Sequence, residues 1–286
     1  MPRMPQPFRL LLPLLLVCAT ALAQAAAPAL VTISQGEATL LRDDTRFKLA
    51  EGVALKADDI IELGPQALLL RIEYADGSSL LLGPGSRVLV LPKLLAERSK
   101  ARAYLLAGWA KFSLAPDAEG MLASGLVDLS GKGSRGVLGL SNNRAQVFAE
   151  GGEWKLRYGA GSVAMKGGDF VTVPATGKPE TAGRPSPEFI QALPRAFMDT
   201  LPPRAQLFAG KDVPLKSVGT LGYADVRDWL TLPEPAVRRA ELARWKSLAR
   251  EAEFRAALIE NLKSHPEWDP ILFPSLPASA RAASKP

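Results

Sequence analysis

Residues 67–92 read ALLLRIEYADGSSLLLGPGSRVLVLP, two apolar runs that meet at Asp76-Gly77 and break again at Gly83-Pro84-Gly85-Ser86. Leu68, Leu70, Ile72 and Tyr74 recur at period two, which puts them on one face of a strand. Ser79–Leu82 can pair back across that face. Asp-Gly between two such runs marks a hairpin, because a two-residue type I′ turn needs positive φ at both central positions and these residue types tolerate it. The stretch therefore predicts a hairpin and, at Arg87–Leu91, the start of a third strand.

Outward from this hairpin, short apolar runs separated by Gly, Asp, Asn and Pro continue from Val31 to Val173 at spacings typical of an all-β domain. Strands are expected at Val31–Ser34, Glu37–Leu41, Ile60–Leu63, Ala67–Tyr74, Ser79–Leu82, Arg87–Leu91, Ala101–Leu106 and Trp109–Ala115. Further ones are expected at Gly125–Leu129, Gly136–Leu140, Ala145–Ala149, Trp154–Arg157, Ser162–Met165 and Phe170–Val173. A helical turn fits only Pro92–Arg98.

The order Tyr74-Ala75-Asp76-Gly77-Ser78-Ser79-Leu80-Leu81-Leu82, followed by Gly83-Pro84-Gly85-Ser86-Arg87-Val88, resembles the central signature of the FecR domain. Gly52-Val53-Ala54-Leu55 and Asp58-Asp59-Ile60-Ile61 through Gly64 are similar to that family's entry segment. Ala103–Phe112 is similar to its strand, Gly, small-aromatic strand. Gly139-Leu140-Ser141-Asn142 departs from the family's Gly-Thr-x-Phe. The resemblance spans about 31–173 and implies a β-sandwich or β-solenoid-like domain of many short strands. It also implies kinship with sensors that relay a signal from an outer-membrane transporter to a cytoplasmic sigma factor.

At the other end, Arg3 and Arg9 precede the apolar run Leu10–Val17 and the small residues Ala21-Leu22-Ala23, the pattern of a secretory signal peptide with an Ala-x-Ala cleavage site. The run is far shorter than the ~20 residues a membrane-spanning helix needs. Val17 stands before Cys18 where a lipoprotein signal requires a small residue. Cleavage after Ala23 removes Cys18, the one cysteine, so no disulfide or thiol chemistry is expected. The chain has 35 Lys and Arg against 29 Asp and Glu, and cleavage takes two of the basic residues away, leaving a net charge of about +4. No basic run is long enough for a nucleic-acid track.

Residues 175–186 are rich in Thr, Gly, Lys and Pro without apolar spacing and read as a linker. Beyond them the period approaches 3.6. Ser186 with Pro187 fits an N-cap and first helical position, with Phe189, Ile190 and Leu193 on one side and Pro194 ending the helix. Asp225–Leu230 reads as a second helix with Val226, Trp229 and Leu230 inward. Pro235 opens a longer helix carrying Leu242, Trp245 and Leu248, and Phe254, Leu258, Ile259 and Leu262 repeat in the next stretch. Glu234 with Arg238 and Glu251 with Arg255 stand four apart, suited to pairing on exposed faces.

Candidate chemistry is sparse. Asp43-Asp44 and Asp58-Asp59 are the raw material for an acid–base pair, but neighbours on a strand point to opposite faces, so turn capping suits them better. Gly131-Lys132-Gly133-Ser134-Arg135-Gly136 has the composition of a phosphate cradle without the P-loop spacing or a following helix, and reads as a flexible loop. His265, the one histidine, has Glu267 and Asp269 nearby and could serve as a base or metal ligand; a helix C-terminal histidine facing the dipole is the plainer use. Trp229, Trp245 and Trp268 fit a core better than a partner surface.

The expected organisation is a signal peptide (1–23), a FecR-like all-β domain (24–174), a linker (175–186), a small helical region (187–274) and a disordered tail (275–286). The expected role is a non-catalytic binding, scaffolding or sensing module of the bacterial envelope, periplasmic and without the transmembrane anti-sigma relay. Its partner would be an envelope protein or cell-wall glycan, with no nucleic acid, cofactor, metal or catalytic residue and no integral membrane segment after cleavage. The alternative is an envelope polysaccharide or peptidoglycan hydrolase using carboxylates.

Overall fold

The computed structural model describes residues 29–274, apart from 99 and 142. The expected signal peptide with Cys18 and the expected tail lie outside the described residues. The protein is mainly β, followed by a small helical region.

The hairpin forms as β6 (Leu69–Tyr74) and β7 (Ser79–Leu82), with Leu70 opposite Leu82 and Ile72 opposite Leu80. Its turn differs from the expected type I′. Only Gly77 has positive φ, +84°, and the loop is the three residues Ala75-Asp76-Gly77. Gly77 N–H donates to Tyr74 O at 3.0 Å, and Tyr74 N–H to Ser78 O at 2.9 Å, the pattern of a three-residue loop with a left-handed glycine. Asp76 is not in the left-handed region, and its carboxylate is engaged on both oxygens. Oδ1 accepts from Ser78 N–H at 2.9 Å, and Oδ2 pairs with Arg102.

Around the hairpin, hydrogen bonding joins sixteen strands into one network that folds into two facing sheets. The strands before it are β1 (Ala29–Gln35), β2 (Ala38–Arg42), β3 (Thr45–Lys48), β4 (Ala54–Leu55) and β5 (Asp59–Leu63). After it come β8 (Arg87–Val90), β9 (Ala103–Ser113), β10 (Glu119–Ser124), β11 (Val127–Ser141), β12 (Arg144–Tyr158), β13 (Gly161–Lys166) and β14 (Phe170–Pro174). Two late additions, β15 (Glu180–Ala182) and β16 (Lys216–Thr220), complete the set.

Three long strands pass from one sheet to the other. Residues 103–107 of β9 pair with β8, and residues 110–113 with β7. The first part of β11 pairs with β10 and with 153–158 of β12, which in turn pairs with β13; its second part pairs with β9 and with 144–149 of β12, which pairs with β14. The first sheet thus runs β16-β3-β2-β5-β8-β9-β10-β11-β12-β13 and the second β4-β1-β6-β7-β9-β11-β12-β14-β15. Each corner is a positive-φ glycine: Gly108 in β9, Gly133 in β11 and Gly152 in β12. Such corners let strands switch sheets in a sandwich.

This geometry corrects three expectations. Ala101–Leu106 and Trp109–Ala115 are one bent strand, as are the two pairs of runs that make β11 and β12. The 131–136 segment is not a loop but the bend of β11, and its glycines admit neighbours: a Cβ on Gly131 would lie 2.7 Å from the Trp154 ring. The strands are not uniformly short.

Between the sheets lies one continuous core, with Leu40, Leu70, Ile72, Leu82, Phe112, Leu129, Val147 and Leu156 fully buried. Both outer faces are also covered in part. On the first sheet, Leu41, Ile60, Leu89 and Tyr104 pack against α2 (Tyr223–Leu230), α3 (Pro235–Trp245) and α4 (Ala252–Glu260) through Trp229, Trp245 and Phe254, with Trp268, beyond α4, in the same cluster. On the second, Ile33, Leu69, Leu81 and Val137 meet Phe189 of α1 (Pro187–Ala192) and Phe197.

The helical region therefore docks on the β region rather than standing beside it. Trp245 Nε1 donates to Asp43 O at 3.0 Å, Arg46 to Asp225 at 2.7 Å, and Tyr104 O–H to Glu234 at 3.0 Å. The expected linker carries β15, which pairs with β14, and the helical region supplies β16, which pairs with β3. Ser186 caps α1, its Oγ accepting from Phe189 N–H at 3.2 Å, but Ile190 is exposed where Phe189 is buried. The expected i,i+4 pairs are replaced by longer-range ones: Glu234 binds Arg98, Arg238 binds Glu267 at 2.6 Å, and Arg255 donates to Leu272 O. Among the described residues no helix is long and apolar enough to cross a membrane.

Candidate functional site

The residues singled out from the sequence do not converge. Asp59 is buried beneath β2, where its carboxylate accepts from Arg42 Nε at 2.8 Å and Nη2 at 2.6 Å and from Lys56 N–H at 2.7 Å. Its neighbour Asp58, at φ +65°, turns the other way and caps Leu94 N–H at 3.0 Å. Burial raises the Asp58 carboxyl above the usual range. Asp43, at φ +56°, offers its main-chain carbonyl to Trp245, while Asp44 Oδ1 accepts from Thr45 O–H at 3.0 Å. All four serve turns or interlayer bonds, as capping predicts.

His265 is fully buried, not at a solvated helix end. Its Nε2 lies 3.0 Å from the Tyr223 hydroxyl, and desolvation lowers its pKa, so the ring is neutral at pH 7 and carries no charge for a dipole to favour. Glu267 pairs with Arg238 and Asp269 opens α5 (Asp269–Leu272), so neither reaches the ring's Nδ1, which is buried with no partner among the described residues. Trp229, Trp245 and Trp268 are core residues of the helical cap. Among the described residues no group of three potential metal-ligating side chains occurs.

The open surface lies elsewhere. The helical cap covers the first sheet from β2 to β10 and stops there; among the described residues no layer lies on the outward face of β11, β12 and β13. Cross-strand pairing sets its residues in rows: Lys132, Glu153 and Lys166 in one, Ser130, Lys155 and Ala164 in the next, then Asp128, Arg157 and Ser162. Period two puts Trp154 and Leu156 inward and Lys155 and Arg157 outward. Small side chains beside Lys155 leave two adjoining hollows of about 570 and 420 Å³, the first bounded by Ser130, Ala164 and Lys166 with the carboxylates Glu153 and Asp169, the second, with no acidic side chain, by Arg157, Gly161 and Ser162. Lys155 borders both. Asp128 is turned to Arg98 at 2.8 Å and does not neutralise Arg157.

Sequence reasoning missed this face, although Trp154-Lys155-Leu156-Arg157 holds the signal: an alternating strand whose polar positions are both basic. It also missed Glu241, a fully buried carboxylate of α3 with neither oxygen hydrogen-bonded to a described residue. Arg244 lies 3.7 Å away and Asp58 faces it as a like charge; burial pushes Glu241 up to about 7.

No family model matches the chain, and no curated protein does. Two crystal structures of a candidate anti-sigma factor from Parabacteroides distasonis are similar to part of it. Each is 14% identical, with a TM-score of 0.38, over 44% of this chain and 59% of that one. The chain thus spans under two thirds of the protein it matches, and a likeness this distant and partial bears on neither mechanism nor partner.

Proposed function

We propose that the protein is a non-catalytic binding, scaffolding or sensing module of the bacterial envelope, FecR-like in its β region and without the transmembrane anti-sigma relay. A cleaved signal delivers it to the periplasm, and the outward face of β11–β13 takes an envelope protein or an anionic cell-wall glycan. The observation that carries this reading is the face around Lys155 and Arg157, which no described residue covers, beside sheet regions that the helical cap and the 186–205 segment do cover. Lysine and arginine among small side chains suit carboxylates or phosphates of a partner lying flat on a sheet.

The test is in-cell crosslinking from a photoreactive residue at Ala164, with Val218 on β16 as control. Capture of one identified partner from Ala164 but not Val218, lost on Lys155→Glu with Arg157→Glu, is expected; equal capture from both positions would remove the face from consideration. The hydrolase alternative predicts cleavage of cell-wall glycans that disappears on Asp58→Asn, and such cleavage would replace the binding reading.

A further inference from the structure

We propose that the outer face of the second sheet is a groove for an extended peptide, that residues 186–205 are its built-in occupant, and that a partner segment of the same chemistry can displace them. That chemistry is two aromatic side chains eight positions apart followed by an extended Leu-Pro-Pro stretch, as in Phe189, Phe197 and Leu201-Pro202-Pro203.

The groove recognises main chain as well as side chains. Arg71 and Glu73 point outward from β6, where alternation would leave them in water, yet they are only 4% and 7% exposed. Both are engaged with the strap's backbone. Arg71 Nη1 donates to Leu201 O at 3.2 Å and Pro202 O at 2.7 Å; Glu73 accepts from Arg204 N–H at 2.8 Å and Ala205 N–H at 3.2 Å. A 3.1 Å ion pair holds the two together. Lys111 of β9 adds a third contact, donating to Phe197 O at 2.6 Å. Charge-assisted bonds to carbonyls and amides can be made to any chain of the same course.

The side-chain anchors are few. Phe189 sits among Trp109, Phe148 and Phe170, with ring centroids at 5.4, 6.4 and 4.9 Å, and Phe197 fills the same cluster. Over 181–220 these two are the only buried residues. Local helices are short, and β15 and β16 at either end are wholly exposed. A segment with so little buried opens at a free energy well below global unfolding, whereas β6, β7, β9 and β11 stay paired on both sides. Opening uncovers an aromatic floor beside Arg71, Glu73 and Lys111, a site for an incoming peptide. The tethered strap competes at an effective concentration of roughly millimolar, so it acts as a brake on binding. This groove lies on the opposite sheet from Lys155 and stands or falls independently of it.

Two measurements on the full chain decide it. Hydrogen exchange on the wild type should show amides of 187–205 exchanging by local opening while those of β9 and β11 exchange only with global unfolding; equal protection in strap and strands would overturn the proposal. A fluorescent synthetic peptide of residues 186–206 should bind Phe189→Ala/Phe197→Ala protein at least tenfold more tightly than wild type, and a peptide with both Phe changed to Ser should bind at least tenfold more weakly. Absence of binding by a variant that keeps the wild-type far-UV spectrum would overturn it.

Discussion

The hydroxyl of Ser86 and the main chain of Trp109 are locked in a reciprocal pair: Ser86 Oγ accepts from Trp109 N–H and donates to Trp109 O, each at 2.9 Å. The pair fixes the corner at which β9 leaves one sheet for the other. Gly108, at φ +85°, lies so close that a Cβ on it would stand 2.6 Å from Ser86 Cα. Ser86→Ala should therefore cost about 1–3 kcal/mol, because it strands a buried amide as well as losing a bond. Gly108→Ala should cost at least as much, since strained φ adds to the clash. Urea unfolding measures both, and a loss below a few tenths of a kcal/mol in both would mean that the corner is not held there.

At the hairpin tip the strain is purely conformational. A Cβ on Gly77 would meet nothing nearer than Ala115 Cβ at 3.8 Å, so room is not the issue, but φ is +84°. Gly77→Val should lose on the order of 1–2 kcal/mol or more, and Gly77→Asn much less, since Asn visits the left-handed region. Melting temperatures of the two variants give the comparison; equal and negligible losses would contradict the three-residue loop.

What could be read from sequence was local. The period-two runs of 67–92 gave the hairpin, and Ser186-Pro187 gave a true helix cap. Misreadings arose where the deciding partner is remote. Glycines at 108, 131–136 and 151–152 look like loop punctuation, yet each lies in a strand whose pairing residues sit far along the chain. Arg71 and Glu73 look solvated until Leu201–Ala205 arrives to cover them. Glu234 looks ready to pair with Arg238, but Arg98 and Glu267 win those charges. Of the open face, the basic alternation at Lys155 and Arg157 was visible; that no described residue covers it was not, because the extent of the helical cap is a tertiary fact.

Glu241 should give the stability an unusual pH dependence. Its carboxyl is pushed up to about 7 from an ordinary 4.5, mainly by burial and in part by Asp58, against the pull of Arg244. Folded protein then holds a proton that unfolded chain has released, so this contribution is full below about pH 4.5 and is lost as pH rises through 7. His265 acts in the opposite sense: its depressed pKa makes the native state lose stability as pH falls below the ordinary imidazole range. Comparing wild type with Glu241→Gln cancels the histidine. The variant should be more stable by on the order of 2–3 kcal/mol at pH 8, with the difference shrinking towards pH 5. A difference that does not change across this range would mean that Glu241 is charged throughout, paired with Arg244.

Limited proteolysis tests how the two parts are joined. Lys178 and Arg184 lie exposed on either side of β15, whose three residues are all exposed and which hangs on β14 alone. An edge so lightly held should open readily, and brief trypsin treatment should cut first at one of these two sites. The products should nevertheless stay together. Trp229, Trp245 and Trp268 remain packed with Leu41, Ile60 and Tyr104, and Trp245 Nε1 still donates to Asp43 O. Three buried tryptophans each contribute a large apolar area, and that contribution does not depend on the covalent link at 178–184. Gel filtration of the nicked protein should give one peak containing both fragments, separable only in denaturant. Fragments that elute apart under native conditions would show that the helical region is an independent domain and that its packing on the first sheet is not maintained in solution.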